Sequence, residues 1–135
     1  MRDPRNDQPS VDERGIRPPS VYVIETRDAQ DGVVVLALTG EFDLAAESEL
    51  RERLGAARAS ATRGVVLDMA EVSFLDSSAL RELLRADIAL NEDGVPFVLV
   101  GLQPPVGRLL ELTRTAGMFS TAPTVDAALL RLTSA

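Results

Sequence analysis

The chain has 135 residues, of which 45% are hydrophobic and only 4% aromatic, and its formal net charge is −7. This length and composition suit a single domain with an aliphatic core. The chain contains no Cys or His, and all 14 of its basic residues are Arg, so disulfides and thiol chemistry are excluded, and the acidic balance disfavours nucleic acid or an anionic membrane as a partner.

The first segment of the chain is polar. Residues 1–19 are rich in proline and alternate acids with arginines, which predicts a disordered tail followed by a domain over residues 20–135. The opening residues do not resemble a signal peptide, and no apolar run in the chain approaches the length that crosses a bilayer. We therefore expect a cytoplasmic protein.

Two strands are predicted after the tail, in SVYVIETRD and VVVLALTG. The first strand alternates, with Val21 and Val23 as its apolar positions. Asp31 and Gly32 between the strands form a strong turn signal, so the two strands are expected to pair as a hairpin.

A helix, a strand and a second helix follow. DLAAESELRERLGAARAS has a helical period, with Leu50, Leu54 and Ala57 on one face, and GVVLDM is typical of a short buried strand. DSSALRELLRADIALNEDG predicts a helix that ends at Gly94. Its predicted apolar face consists of Leu80, Leu83, Leu84 and Ile88, and Asp87 falls within the same arc.

The last third of the chain predicts a buried strand, PFVLVG, and two more helices. PPVGRLLELTRTAG begins with prolines and is expected to end at Gly117, with an apolar face made of Val106, Leu109, Leu110 and Thr113. In TVDAALLRL, Thr124 is the expected N-cap and Val125, Ala128, Leu129 and Leu132 form the apolar face.

The predicted order is therefore β-β-α-β-α-β-α-α. The fold class is α/β, a single domain with four helices and a mixed, mainly parallel sheet of four to five strands. The strand–helix–strand unit from Val65 to Val100 requires a right-handed crossover, and its two apolar strands predict helices over much of the sheet.

The stretch SFLDSSAL, at the predicted strand-to-helix junction, is the main candidate site. A serine hydrolase needs an imidazole or a lysine amine as its base, and the chain has neither. Asp76 or Ser77 is expected to cap the following helix. A phosphate on Ser77 would lie at the electropositive helix start and would add a charge of about −1.5 to −2.

Carboxylate chemistry is the remaining catalytic possibility. Glu41, Asp43 and Asp76 could together bind a hard cation such as Mg²⁺, which makes a small enzyme or nucleotide-binding module one hypothesis. Acidic residues beside strand ends are usually solvated, so we expect no metal, no cofactor and no catalysis.

Three stretches resemble the STAS family, the domain of anti-sigma factor antagonists. SFLDSSAL is similar to the family's phosphorylation loop, and LTGEFDLAAESELRERL is similar to the segment before its first helix. PPVGRLLELTRTAGMF is similar to a third family pattern, and the resemblance runs from about Val21 to Leu132.

The resemblance implies a partner switch. The unmodified protein would bind an anti-sigma factor that is also a serine kinase, phosphorylation of Ser77 would release it, and a cognate phosphatase would reset it. Asp43 and Asp76 match family acids near the phosphate, and Ser78 matches the second hydroxyl position. The predicted phosphorylation loop and partner-binding surface comprises Asp43, Asp76, Ser78, Ala79, Leu80 and Arg81, and the free protein is expected to be a monomer or weak dimer.

Two residues depart from the family pattern. Ala79 stands where the family usually has Gly, and Arg81 occupies a position that is often small. Arg81 lies one helical turn from Ser77 and could hold a phosphate there. The partner switch is the first hypothesis; the two departures motivate an alternative, a scaffold without phosphate control that serves as an accessory subunit of a transport or signalling assembly.

Overall fold

The computed structural model describes residues 21–28 and 31–134. The predicted tail, residues 1–19, lies outside the described residues. In the part of the chain that is described, none of the helices combines the length and the apolar character that crossing a membrane requires.

Five strands form one sheet in the order β1-β2-β3-β4-β5. The strands are β1 (Tyr22–Asp28), β2 (Val33–Phe42), β3 (Gly64–Leu75), β4 (Phe97–Val100) and β5 (Ser120–Ala122). β1 pairs antiparallel with β2 as the predicted hairpin, and the other neighbouring strands are parallel. The prediction of a mixed, mainly parallel sheet is therefore confirmed.

Four α-helices accompany the sheet in the described residues: α1 (Glu47–Ser60), α2 (Ser77–Glu92), α3 (Pro104–Leu112) and α4 (Val125–Thr133). Short 3₁₀ helices occupy Leu44–Ala46 and Ala116–Met118. The predicted order is correct except that β5 lies between α3 and α4. β5 has only three residues and buries only Ala122, so it has no alternation that would mark it as a strand.

Helix α3 ends at Leu112, five residues before the predicted end at Gly117. The cause is Arg114, which adopts the left-handed conformation with φ 61°. The amide of Thr115 then bonds to the carbonyl of Leu110 at 2.8 Å, and the amide of Arg114 bonds to Glu111 at 3.1 Å. This is a Schellman motif built on an arginine instead of the usual glycine, which is why the glycine was a misleading signal.

The helices divide unequally between the two faces of the sheet. α1, α2 and α3 cover one face, where the larger aliphatic core includes Leu36, Leu50, Leu83 and Leu110. α4 covers part of the other face, where Ala128 packs with a smaller group of valines. The start of α2, where the candidate site lies, is therefore on the sheet face that α1, α2 and α3 cover.

The buried face of β1 differs from the prediction. Val21 and Val23 are exposed, whereas Ile24 is buried. The reason is the register of the hairpin: Ile24 lies opposite Leu38 in the core, and Val23 lies opposite the exposed Thr39. The alternation along the strand was predicted correctly, but the predicted apolar face is the wrong set of alternate residues. The sequence of an edge strand does not by itself show which of its two faces packs on the core.

The buried face of α2 is also rotated relative to the prediction. Ile88, expected in the core, is 55% exposed, whereas Asp87 is only 7% exposed. α2 packs against α1 as well as the sheet, so its buried arc extends to Glu82 and Leu90 and turns away from Ile88. The last residue of the helix is Glu92, and Gly94, with φ 72°, lies two residues further on and closes the helix end as predicted.

Asp87 is a buried carboxylate with an incomplete set of partners in the described residues. Asn91 donates from Nδ2 to its Oδ2 at 3.3 Å. Burial raises the pKa of Asp87, and the bond from Asn91 opposes only part of that effect. The ionised carboxylate therefore destabilises the fold at neutral pH, and the penalty disappears as the pH falls below the unfolded-state pKa of about 3.9.

Asp87→Asn should consequently raise the free energy of unfolding by about 1 kcal/mol at pH 7, because it removes a poorly solvated charge and keeps an oxygen for Asn91. Urea denaturation at pH 7 and at about pH 3.5 measures this, and the gain should vanish at the lower pH. Glu52→Gln, on the exposed side of α1, is the control and should change little at either pH. A loss of stability at pH 7 would contradict the prediction.

Candidate functional site

The candidate site lies where β2 and β3 end side by side. The backbone amide of Asp76 donates to the carbonyl of Phe42 at 3.0 Å, so Asp43 and Ser77 each follow one residue after this bonded pair. Parallel strands bring their carboxyl ends to the same edge of a sheet, which is where ligand and partner sites of α/β domains commonly form. The two motifs LTGEFD and SFLDSSAL are thus brought together.

Gly40 permits the path of β2 into this edge. Its φ is +102°, and a Cβ at this position would lie 2.2 Å from the carbonyl oxygen of Val21, the residue before β1. Only glycine satisfies both the left-handed backbone and this close approach. The glycine of LTGEFD therefore has a structural explanation, since it allows β2 to continue to Phe42 and Asp43.

Asp76 is the N-cap of α2, which settles the choice between Asp76 and Ser77. Its Oδ1 accepts hydrogen bonds from the amides of Ser78 at 2.9 Å and Ala79 at 3.1 Å, and from the Ser78 hydroxyl at 2.6 Å. These bonds satisfy amides that a helix start leaves without partners. Fewer amides remain available to an anion at the helix start than the sequence suggested.

The two serines of the motif differ sharply. Ser78 is 8% exposed, and its hydroxyl is donated to Asp76. Ser77 is exposed, and its hydroxyl makes no hydrogen bond within the described residues. A modifying enzyme can therefore reach the oxygen of Ser77 without breaking a bond or unpacking the core.

Ala79 and Leu80 lie beneath the surface, with exposed fractions of 0% and 4%. The methyl group that replaces the family's glycine is thus part of the core and is not available to crowd a docked protein. Any contribution of these two residues to partner binding is indirect, through the position of the helix start. Their assignment to the partner-binding surface stays a prediction.

The charged residues of the site are accessible. Asp43 caps the 3₁₀ helix by accepting the amide of Ala45 at 3.0 Å. Arg81 is exposed, and its Nη1 lies 3.7 Å from Oε2 of Glu47 at the start of α1. The guanidinium is one helical turn from Ser77, so it has the reach to exchange Glu47 for an anion on that serine.

The carboxylates do not form a cation site in the described residues, where no group of three His, Cys, Asp or Glu is arranged to hold a metal ion. Oδ1 of Asp76 already accepts three hydrogen bonds. The arrangement of Glu41, Asp43 and Asp76 considered from the sequence is therefore not found.

Two exposed apolar residues at this edge were not predicted as site residues. Leu44, directly after Asp43, is 67% exposed, and Phe74, three residues before Ser77, is 47% exposed. Both lie within stretches that resemble the family, and this position was the one indication in the sequence that they belong to the site. The exposure of Phe74 was not predictable because register shifts between β2 and β3 interrupt the alternation of the strands, and Leu44 lies after β2, in the 3₁₀ helix Leu44–Ala46.

Asp76→Ala should lower the free energy of unfolding by about 1–2 kcal/mol, because it removes the side-chain acceptor of two helix amides and one buried hydroxyl. Asp76→Asn keeps an oxygen at the cap and should cost less. Thermal or urea denaturation compares the two variants. Equal losses would show that Asp76 stabilises the fold mainly through its carboxylate charge and not through its capping oxygen.

Sheet order and site together define a small α/β domain that presents one accessible serine at the start of its second helix. The STAS domain family model matches residues 26–128. The chain is 32% identical over 90 residues, covering 67% of this chain and 82% of the relative, to an anti-sigma-B factor antagonist of Staphylococcus aureus. The chain therefore belongs to the STAS domain family, and its predicted family is confirmed.

Solved structures have the same fold. The crystal structure of an anti-sigma factor antagonist from Mycobacterium paratuberculosis superposes with a TM-score of 0.75 at 30% identity, covering 85% of this chain and 97% of that chain. The Bacillus cell fate determinant SpoIIAA in its phosphorylated form superposes with a TM-score of 0.65 at 21% identity, covering 81% of this chain and 98% of that chain. The latter similarity concerns the fold alone.

Proposed function

We propose that this STAS domain is an anti-sigma factor antagonist that binds an anti-sigma factor with serine kinase activity and is released when that kinase phosphorylates Ser77. A cognate phosphatase restores the binding form, and the exchange takes place in the cytoplasm. The domain itself is not an enzyme in this scheme. It is a substrate, and its chemistry is limited to accepting one phosphate.

One observation carries the proposal: the hydroxyl of Ser77 is exposed and makes no hydrogen bond in the described residues, whereas that of Ser78 is buried against Asp76. The names of the relatives support the regulatory role, since several are anti-sigma factor antagonists. SpoIIAA, which shares the fold, has been solved in a phosphorylated form, which supports modification as the means of control.

The surroundings of Ser77 suit a protein partner. Leu44 and Phe74 are exposed apolar side chains at this edge, and covering such side chains with a partner lowers the free energy of the complex. Asp43 and Asp76 add negative charge beside the serine. A phosphate would therefore increase a like-charge concentration at the edge of the interface, which favours release.

Arg81 adjusts this switch in the proposal. Its guanidinium lies 3.7 Å from the Glu47 carboxylate in the unmodified protein. A phosphate on Ser77 offers a doubly charged acceptor on the same face of α2, so Arg81 turns from Glu47 to the phosphate. In the phosphorylated form, the bond from Arg81 then fixes the phosphate on Ser77, in addition to the charge repulsion between the phosphate and the partner.

The test begins with the kinase. Proteins captured from the native cell by the unmodified domain should include an anti-sigma factor, and with Mg²⁺ and ATP this protein should add one phosphate, mapped by mass spectrometry to Ser77. Ser77→Ala should abolish the transfer, whereas Ser78→Ala should retain it. Capture of a transport or signalling subunit without an anti-sigma factor would instead support the scaffold alternative.

A further inference from the structure

A groove between α1 and α2 lies beyond the Ser77 edge, toward the middle and the end of α2. It is open to solvent on one side and has a volume of about 170 Å³, and it is formed by Arg51, Leu54, Gly55 and Arg58 of α1 and by Glu82, Arg85, Ala86, Ala89 and Leu90 of α2. Nothing in the proposed switch uses these residues. Their composition combines an apolar floor with a cationic rim.

The floor of the groove is aliphatic and is widened by a glycine. Leu54 and Leu90 are buried at its base, and Gly55 lies in the middle of α1. A Cβ at Gly55 would meet nothing within 4 Å, so packing in the described residues does not require a glycine there. A glycine inside a helix costs up to about 1 kcal/mol relative to alanine, and here the effect is to keep the groove open.

The rim carries three guanidiniums in a chain whose net charge is −7. Arg51 is held by Glu82, which accepts from its Nε at 3.2 Å and its Nη2 at 2.9 Å. Arg58 is held in the same way by Asp93, at 2.6 Å and 3.0 Å. The hydrogen bonds of the described residues leave Nη1 of both arginines available as donors.

Arg85 is the least constrained of the three arginines. Its Nη1 lies 3.8 Å from Glu82, whose carboxylate is already bound by Arg51. Fixed arginines with remaining donors beside an apolar floor form a binding site whose polar groups need little reorganisation. The carboxylates of Glu82 and Asp93 balance part of the positive charge, so the preference for an anion rests on the unused N–H donors of the guanidiniums, which a cationic or a neutral apolar ligand would leave unpaired.

We propose that this groove binds a small amphiphilic carboxylate, with its hydrocarbon chain on Leu54, Gly55 and Leu90 and its carboxylate on the guanidiniums of the rim. The hydrocarbon chain that the groove can cover is short, because the volume of the groove is only about 170 Å³. Such a ligand would bridge α1 and α2, the helix that begins with Ser77. The proposal does not depend on the identity of the protein partner.

Sodium octanoate is the probe, titrated into the ¹⁵N-labelled full chain and followed by amide resonances. We expect saturable shifts confined to residues 51–58 and 82–90, with a dissociation constant of about 1 mM or below, as ligand efficiency allows for a ligand of this size. Octylammonium, which has the same chain and the opposite charge, should not produce them. Absence of saturable octanoate shifts, or equal binding of both probes, would overturn the proposal.

Gly55→Leu fills the groove and should weaken octanoate binding at least about 10-fold. Gly107→Leu is the matched control, because Gly107 also lies in a helix and a Cβ there would likewise meet nothing within 4 Å. Arg85→Gln, an exposed change, should weaken binding without affecting the fold, and the exposed Arg108→Gln should not. Unchanged octanoate binding by both Gly55→Leu and Arg85→Gln would refute the assignment of the site.

Discussion

In the proposed switch, Ser77→Asp should lower the affinity of this domain for the anti-sigma factor about 100-fold. The substitution places a fixed negative charge at the exposed start of α2, one residue from Asp76 and next to the edge that carries Asp43. Like charges brought together at an interface cost several kcal/mol, and a 100-fold loss corresponds to about 2.7 kcal/mol. A phosphate carries more charge than aspartate, so phosphorylation should have a larger effect.

Isothermal titration calorimetry with the captured anti-sigma factor measures the effect. Ser77→Ala should bind at least as tightly as the unmodified protein and should remain bound when ATP is added. Ser120→Asp, on the exposed edge strand β5, makes the same change in net charge and should leave the affinity nearly unchanged. Equal affinities for the unmodified protein, Ser77→Ala and Ser77→Asp would be incompatible with charge-driven release.

Glu82→Ala should produce the largest loss of stability, about 2–3 kcal/mol at pH 7. Glu82 is only 2% exposed and joins α2 to α1 through its two hydrogen bonds from Arg51. Breaking a buried ion pair costs about 3–5 kcal/mol, and the value here is lower because Arg51 remains half exposed and regains water. For a domain whose total stability is about 5–15 kcal/mol, this is a severe loss.

The same pair makes part of the stability dependent on pH. The hydrogen bond from Arg51 lowers the pKa of Glu82 despite the opposing effect of burial. The stabilisation is therefore complete above the unfolded-state pKa of about 4.3 and is lost as the pH falls through the lower folded-state value. In urea denaturation, the gap between the unmodified protein and Glu82→Ala should narrow below about pH 4.

Asp93→Asn provides the comparison for Glu82, because it removes the charge from a similar bidentate pair with Arg58 that lies in solvent. The hydrogen bonds from Arg58 lower the pKa of Asp93 as well, but exposed pairs contribute little to stability. A larger loss from Asp93→Asn than from Glu82→Ala would contradict the importance of burial.

Much of the fold was predictable because its signals are local. The turn at Asp31 and Gly32 requires positive φ at both residues, and both have it. The closure of α2 by Gly94, just past the helix end, and the cap of α4 by Thr124, whose Oγ1 accepts from Ala127 at 3.1 Å, depend only on neighbouring residues. The three-residue strand β5 has no such signal, because its pairing with β4 is set by the rest of the sheet.

The candidate site was predictable in part. The motif SFLDSSAL located a helix start with an acid and two serines, and the lack of His and Lys excluded hydrolase chemistry. The residues alone did not decide which side chain caps the helix, and the choice of Ser77 over Ser78 as the phosphate acceptor came only from the family resemblance. Both the cap and the accessible hydroxyl depend on how Asp76 turns toward Ser78 and Ala79 once its amide bonds to Phe42 on the neighbouring strand.

The sequence by itself determined the local conformations, the family and the chemistry that the chain lacks, because turns, caps and side-chain inventories involve residues close together in the chain. Only the tertiary structure decided that Asp87 is buried and Ile88 exposed, and that Arg51 meets Glu82 beside an open groove. The reason is that burial and charge pairing depend on the angle at which two helices pack, and many distant contacts set that angle together.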